Sequence, residues 1–149
     1  MNKNLYRELR DKQENDVNSF PMMFAFSTQQ FNEGMLKLGL TAQDTDKIYS
    51  IGGGGYILKT DSLLLSNMMN NHSIEMQNNI DNDLTGDGFI FDMFLYELCN
   101  HEYSYTGDIS DTLDCLDLTL NDINSNESLL HGFKRARIEA SREDEEEEA

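Results

Sequence analysis

Positive charge is the first thing this sequence lacks. Residues 60–133 contain no Lys or Arg, yet they carry fourteen Asp and Glu. A surface built from that stretch repels acidic partners and attracts basic ones, which argues against direct nucleic-acid binding. Cysteine is scarce as well. A bridge between Cys99 and Cys115, the only two, would need an oxidising compartment. Cys99 lies in an apolar segment and reads as a small buried thiol. No apolar run approaches the length of a membrane span. The N-terminus, MNKNLYRELRDKQEND, has no apolar stretch after its charges and so does not read as a secretory signal. Catalytic signatures are missing too: there is no HExxH, no paired CxxC, no G-x-S-x-G and no P-loop ending.

What remains is enough to fold. The chain has 149 residues, with 38% hydrophobic content including eight Phe, six Tyr and eight Met. One domain over residues 1–142 is expected, followed by a disordered acidic tail at 143–149. The net charge is −17, and the run at 143–148 supplies six of the 28 acids. Without that run, 22 acids still face 11 bases, so the acidity belongs to the body as well as the tail.

Along the chain, residues 2–18 predict a short helix with Leu5, Tyr6 and Leu9 as its apolar stripe. Pro21 ends it, and residues 22–26 read as a strand. Ser27 caps the next helix, with Gln30 to complete a capping box and Phe26 to staple against Phe31. Gly39 suits a left-handed cap at its end. In DKIYSIGGGGYILK, four glycines separate two β-forming runs, the pattern of a hairpin around residues 52–55. A phosphate-cradling loop is the sharper alternative, but neither the Lys-Ser/Thr ending nor spaced glycines are present.

Thr60 or Asp61 caps a helix running toward Ile80, with Leu64, Leu65, Met68, Met69, Ile74 and Met76 as its apolar set. The segment 86–100 is apolar nearly all round and is expected at the centre of the core. EYSYTGDIS follows as a turn or short strand. Ser110 or Asp111 opens another helix. Asn124 and Glu127 form a second capping-box pattern before a last helix from Leu129 to about Ile138. The fold class is therefore α+β, mostly helical with a small antiparallel sheet.

Three groups of residues carry candidate chemistry. Asp83, Thr85 and Asp87 alternate as in a calcium loop, and Gly88 and Ile90 fall at its turn and core positions. The bidentate acid of position twelve would be Phe94, so the match stops there. A capping turn is the alternative, its acids favoured by the helix dipole. Glu97 and His101 stand four apart on one helix face, where a metal site or a simple hydrogen-bonded helix end is the choice. No cofactor is expected, with Ca2+ as the alternative. Last, Asp108, Asp111, Asp114 and Asp117 recur every third residue, followed by Asp122. Steps of three rise about 4.5 Å along a helix, and duplex DNA carries a phosphate about every 3.4 Å per strand. Such a row imitates a phosphate backbone for a protein whose groove is lined with Lys and Arg. Lys134, Arg135 and Arg137 follow abruptly; as a nucleic-acid patch they are opposed by the total charge.

The segments FSTQQFNEGMLKLGL, DKIYSIGGGGYILKTD and GDGFIFDMFLYELCNHEYSYTGD resemble a family of small acidic proteins, a domain of unknown function, from bacteriophages and mobile elements of gut bacteria. The likeness covers roughly residues 5–136. It implies a genomic setting, inside a bacterial host cell, in which small acidic proteins block defence nucleases of the CRISPR or restriction type. Two function classes are carried forward. One is a non-enzymatic binder that inhibits a basic nucleic-acid-handling host protein by phosphate mimicry. The other is a calcium- or other metal-binding protein, with a virion or assembly component as a third option.

Overall fold

The computed structural model describes residues 3–148, and their side chains through Arg142. The last helix, expected to end at about Ile138 before a disordered tail, continues in its backbone through Glu148, and the side chains of the acidic run lie outside those described. Among the described residues the chain is α+β, mostly helical with a small three-stranded antiparallel sheet. It divides into two compact units, Glu14–Ser73 and the pair of segments Met1–Gln13 with Ile74–Ala149. Helices α1 (Leu5–Asn18) and α3 (Ser62–Asn82) each run through the boundary.

The smaller unit is built on the glycine run. Strands β2 (Ile48–Gly52) and β3 (Gly55–Leu58) pair antiparallel, and β1 (Met23–Phe24) adds to the other side of β3. The tight turn places Gly53 at φ 58° and Gly54 at φ 79°. Positive φ at both central residues is what a primed hairpin turn demands, and glycine supplies it without steric cost. Helix α2 (Thr28–Lys37) opens at Ser27, whose Oγ accepts the Gln30 N–H at 3.1 Å. The reciprocal bond is displaced by one residue: Gln30 Oε1 accepts the N–H of Phe26, at 2.7 Å, rather than that of Ser27. Phe26 does not staple. Its ring lies over Gly54 and remains 78% exposed, while Phe31 packs edge-on against Tyr56. Gly39, at φ 80°, ends α2 as expected, and Leu40 N–H reaches back to Met35 O at 2.8 Å in a Schellman pattern. Met23, Met35 and Ile48 form the buried centre of this unit.

The larger unit centres on α4 (Phe89–Asn100), as its composition predicts. Phe89, Ile90, Met93, Phe94, Glu97 and Leu98 are all buried there. The long α8 (Glu127–Glu148) packs against α4 through Leu129, Phe133, Ala136 and Ala140, all of them buried. Short helices α5 (Tyr103–Thr106), α6 (Ser110–Leu116) and α7 (Leu120–Asn124) fill the path between them.

Several expectations need correction. YSYT forms α5, neither turn nor strand, bracketed by Glu102 and Gly107 in left-handed conformation. The cap of α8 is Asn126, whose Oδ1 accepts the Leu129 N–H at 3.1 Å, and α8 begins two residues before Leu129. The unforeseen capping box is Thr119 with Asp122 at α7. In α3, Leu64, Met69 and Ile74 are exposed, and Ile80 is the buried residue. Cys99 is exposed.

Two glycines set how closely the loop before α4 meets α8. A Cβ on Gly86 would stand 2.2 Å from Ser128 O, and one on Gly132 would stand 2.6 Å from Gly86 O and 2.5 Å from Ile90 Cγ2. At an open helical position, Gly→Ala stabilises by up to about 1 kcal/mol. Here the added methyl meets backbone, so Gly132→Ala is expected to reverse that sign and cost about 1–3 kcal/mol by overpacking. Urea denaturation decides it: an unchanged or higher midpoint would contradict the close approach.

Candidate functional site

The most chemically distinctive side chain is Glu97, which is fully buried in the middle of the apolar helix. A lone carboxylate there would be costly to desolvate unless paired and hydrogen-bonded. Its partners come from elements far away in sequence. Arg10, on α1, donates through Nη1 to Glu97 Oε1 at 2.9 Å. Cys115, on α6, donates its thiol to Oε2 at 2.6 Å, and the Tyr6 hydroxyl also hydrogen-bonds to Glu97. The Arg10 guanidinium lies 5.9 Å from the Tyr6 ring centroid and 5.5 Å from that of Tyr96. One side of the cation thus faces aromatic rings and the other the carboxylate, an arrangement suited to the planar guanidinium.

The electrostatics of this cluster follow from burial. Desolvation, assisted by the Glu97 hydrogen bond and charge, pushes the Cys115 thiol from 9.0 to about 11. Desolvation first, and then Glu97, also raise the Tyr6 hydroxyl above its ordinary value. Cys115 is therefore a protonated donor at neutral pH rather than a nucleophile, since the thiolate is the reactive form. With no exposed oxygen, Glu97 has no face to offer a substrate or a solvated metal.

His101 does not join Glu97 at a common point. Its Nδ1 lies 2.8 Å from the Glu97 backbone carbonyl, while the Glu97 carboxylate faces Arg10 and Cys115. The same carbonyl takes the Thr112 hydroxyl at 3.3 Å, which ties α6 to α4.

The calcium-like segment is organised by amides. Both Asp83 oxygens are engaged: Oδ1 accepts from Gly86 N–H at 3.0 Å, and Oδ2 from Gly88 and Ile90 N–H at 3.1 and 3.0 Å. These bonds hold the Asp83 carboxyl below its usual range against its own partial burial. Asp83 thereby caps α4 from upstream, where the helix dipole favours an anion. Thr85 Oγ1 donates to Asp83 at 3.3 Å and accepts from Asp87 N–H at 3.1 Å. Asp87 turns outward to Arg135 and to His131, whose Nε2 is 2.8 Å away, and the Arg135 bond leads in lowering its pKa. Among the described residues, no group of three His, Cys, Asp or Glu side chains is placed to hold a metal ion.

The aspartate row is exposed but broken up. Asp111 and Asp114 stand on α6 with no side-chain partner among the described residues. Asp117 lies just past its end, in left-handed conformation at φ 55°. Asp108 accepts the Ser110 N–H at 2.8 Å, which lowers its pKa. Asp122 sits in the α7 capping box, accepting the Thr119 N–H at 2.9 Å.

A model of the family described as "Family of unknown function (DUF7659)" matches residues 5–139. The chain belongs to that family. No curated protein and no solved structure shows significant similarity to it. The DUF7659 match takes in Arg10, Glu97, Cys115 and the whole aspartate row, and it ends before the acidic run at 143–148. The buried carboxylate is thus part of the DUF7659 domain of this chain. Periodicity alone placed Glu97 on a helix face. Its inward direction had a single sequence sign, the apolar neighbours on every side.

The raised thiol makes a pH prediction. The unfolded thiol ionises near 9.0 and the folded one near 11, so the unfolded state binds fewer protons between these values. Stability from this group is full below pH 9 and declines as pH rises toward 11. Thiolate absorbance near 240 nm in Cys99→Ser protein should show its midpoint near 11. A midpoint at or below 9 would contradict the bond between Cys115 and Glu97.

Proposed function

We propose that this chain is a non-enzymatic binding protein whose acidic face occupies the basic groove of a nucleic-acid-handling protein. The observation that supports this reading is the span of residues 60–133, with no base to neutralise fourteen acids. Within it, Asp111 and Asp114 present carboxylates three residues apart on α6, both facing solvent. Charges held on a folded element are positioned before contact, so less ordering entropy opposes binding than for a flexible acidic tail. Asp108, Asp117 and Asp122 extend the exposed acidity to either side. The partner is a host defence nuclease of the CRISPR or restriction type, and the setting is a bacteriophage or mobile element acting in the bacterial cytoplasm. Among the described residues no helix is long and apolar enough to cross a membrane. The opposing features are the inert Glu97 cluster and the inward Asp83, which leave the metal-binding alternative with little to work on.

The test is inhibition of purified guide- or site-directed nucleases, with substrate DNA or RNA as competitor. Asp111→Lys with Asp114→Lys reverses the two unpartnered charges, and Asp117 is left alone because its left-handed backbone tolerates Asp better than Lys. Placing like charges against a basic groove costs several kcal/mol, so inhibition should weaken by about 100-fold or more. Circular dichroism should remain that of the parent protein. Equal inhibition by parent and variant would remove α6 from the interface, and no inhibition of any such nuclease by the parent would remove the proposal.

A further inference from the structure

One patch runs against the acidity of the chain. Seven of the eleven cations are ion-paired to a carboxylate among the described residues: Lys3, Arg7, Arg10, Lys12, Lys47, Arg135 and Arg142. With 28 acids available, pairing is what chance alone would favour. Lys134 and Arg137 have no carboxylate partner among the described residues, and both line one open cleft of about 630 Å³ on α8. Arg142 lines it as well, paired with Glu139 at 3.5 Å.

Arg137 is held in place by neutral groups. Its Nε donates to the Tyr103 hydroxyl at 2.9 Å, and its guanidinium lies 5.6 Å from the Tyr103 ring and 5.4 Å from the Phe133 ring. Tyr103 and Phe133 are themselves buried. One edge of the guanidinium is thus fixed by packing, and its terminal N–H groups have no acceptor among the described residues. Lys134, one turn earlier on the same helix, adds a second cation on the same side. A fixed guanidinium fork beside an ammonium is the chemistry that recognises phosphate, whose oxygens accept parallel N–H bonds.

We propose that this cleft binds a compact phosphate-bearing anion, of the class of inorganic phosphate and small phosphate monoesters. Compactness follows from the rest of the charge. A duplex brings a phosphate charge about every 1.7 Å of its axis toward a protein of net charge −17, whereas a single phosphate group meets the local cations alone. The cleft is also large enough for the organic part of a small ester. This inference is independent of the acidic face on α6.

The probe is inorganic phosphate, titrated into the full-length protein at constant ionic strength against chloride, with backbone amide and Arg Nε NMR signals as the readout. Saturable shifts are expected at Lys134, Arg137 and Ser141. Lys134→Ala changes an exposed side chain, and it should weaken phosphate binding by about tenfold, the worth of one charge-assisted contact. Glu139→Gln, which releases Arg142, should strengthen it. Shifts that fail to saturate, or that chloride reproduces, would overturn the proposal. An unchanged affinity in Lys134→Ala would do the same. A short single-stranded oligonucleotide binding more tightly than phosphate would overturn the compact-anion assignment.

Discussion

A buried carboxylate dictates the arrangement of the larger unit. Glu97 stands where an apolar helix meets its core, and desolvating an unpaired charge there would cost several kcal/mol. The fold meets that demand with groups from two helices, α1 and α6. Arg10 supplies the counter-charge, Tyr6 and Cys115 supply hydrogen bonds, and Thr112 fixes the neighbouring carbonyl. Because the donors sit on two elements, α1 and α6, satisfying one side chain positions both of them on α4. Arg10 is itself half-exposed, with a side chain 42% accessible, so water screens the pair and moderates its strength. The role is nevertheless specific: removing Arg10 leaves a buried carboxylate without its counter-charge.

The acids of this chain divide into two kinds by what they touch. Asp83, Asp92, Asp108 and Asp122 accept backbone N–H groups near helix starts. There they satisfy donors that a helix leaves open and interact with the positive end of its dipole. Asp111 and Asp114 have no side-chain partner among the described residues. An abundance of acids is therefore partly architectural, and the functional argument rests on those that the fold does not use. The same sorting applied to the cations leaves Lys37, Lys59, Lys134 and Arg137 without a carboxylate partner among the described residues, and of these Lys134 and Arg137 line one cleft.

Local signals were read correctly where the chain's own neighbours decide the outcome. Ser27 caps α2, Gly39 ends it, and glycines 52–55 turn the hairpin, since each depends on residues within a turn. The central helix was legible for the same reason, through the density of Phe89, Ile90, Met93, Phe94 and Leu98. What was not legible depends on distant partners. Glu97 looked like one member of a same-face pair with His101, but its carboxylate turns inward because Arg10 waits 87 residues away in sequence. Asp83 and Asp87 alternate as cation ligands do, yet they face amides and Arg135 in turn. The spacing of Asp108 through Asp122 suggested one helical row. The left-handed Asp117 ends α6 inside that row, and Thr119 restarts the chain as α7.

The claim that Glu97 serves the fold is tested most directly by a double-mutant cycle on Arg10 and Glu97. Chemical denaturation at neutral pH would be measured for Arg10→Met, Glu97→Gln and the combined protein. Breaking a buried pair by removing one partner costs about 3–5 kcal/mol, and Arg10's exposure places this pair toward the lower end. Arg10→Met should therefore be clearly destabilising alone and markedly less so when Glu97 is already Gln. Single-variant costs that simply add, with Arg10→Met near neutral in both backgrounds, would contradict the account.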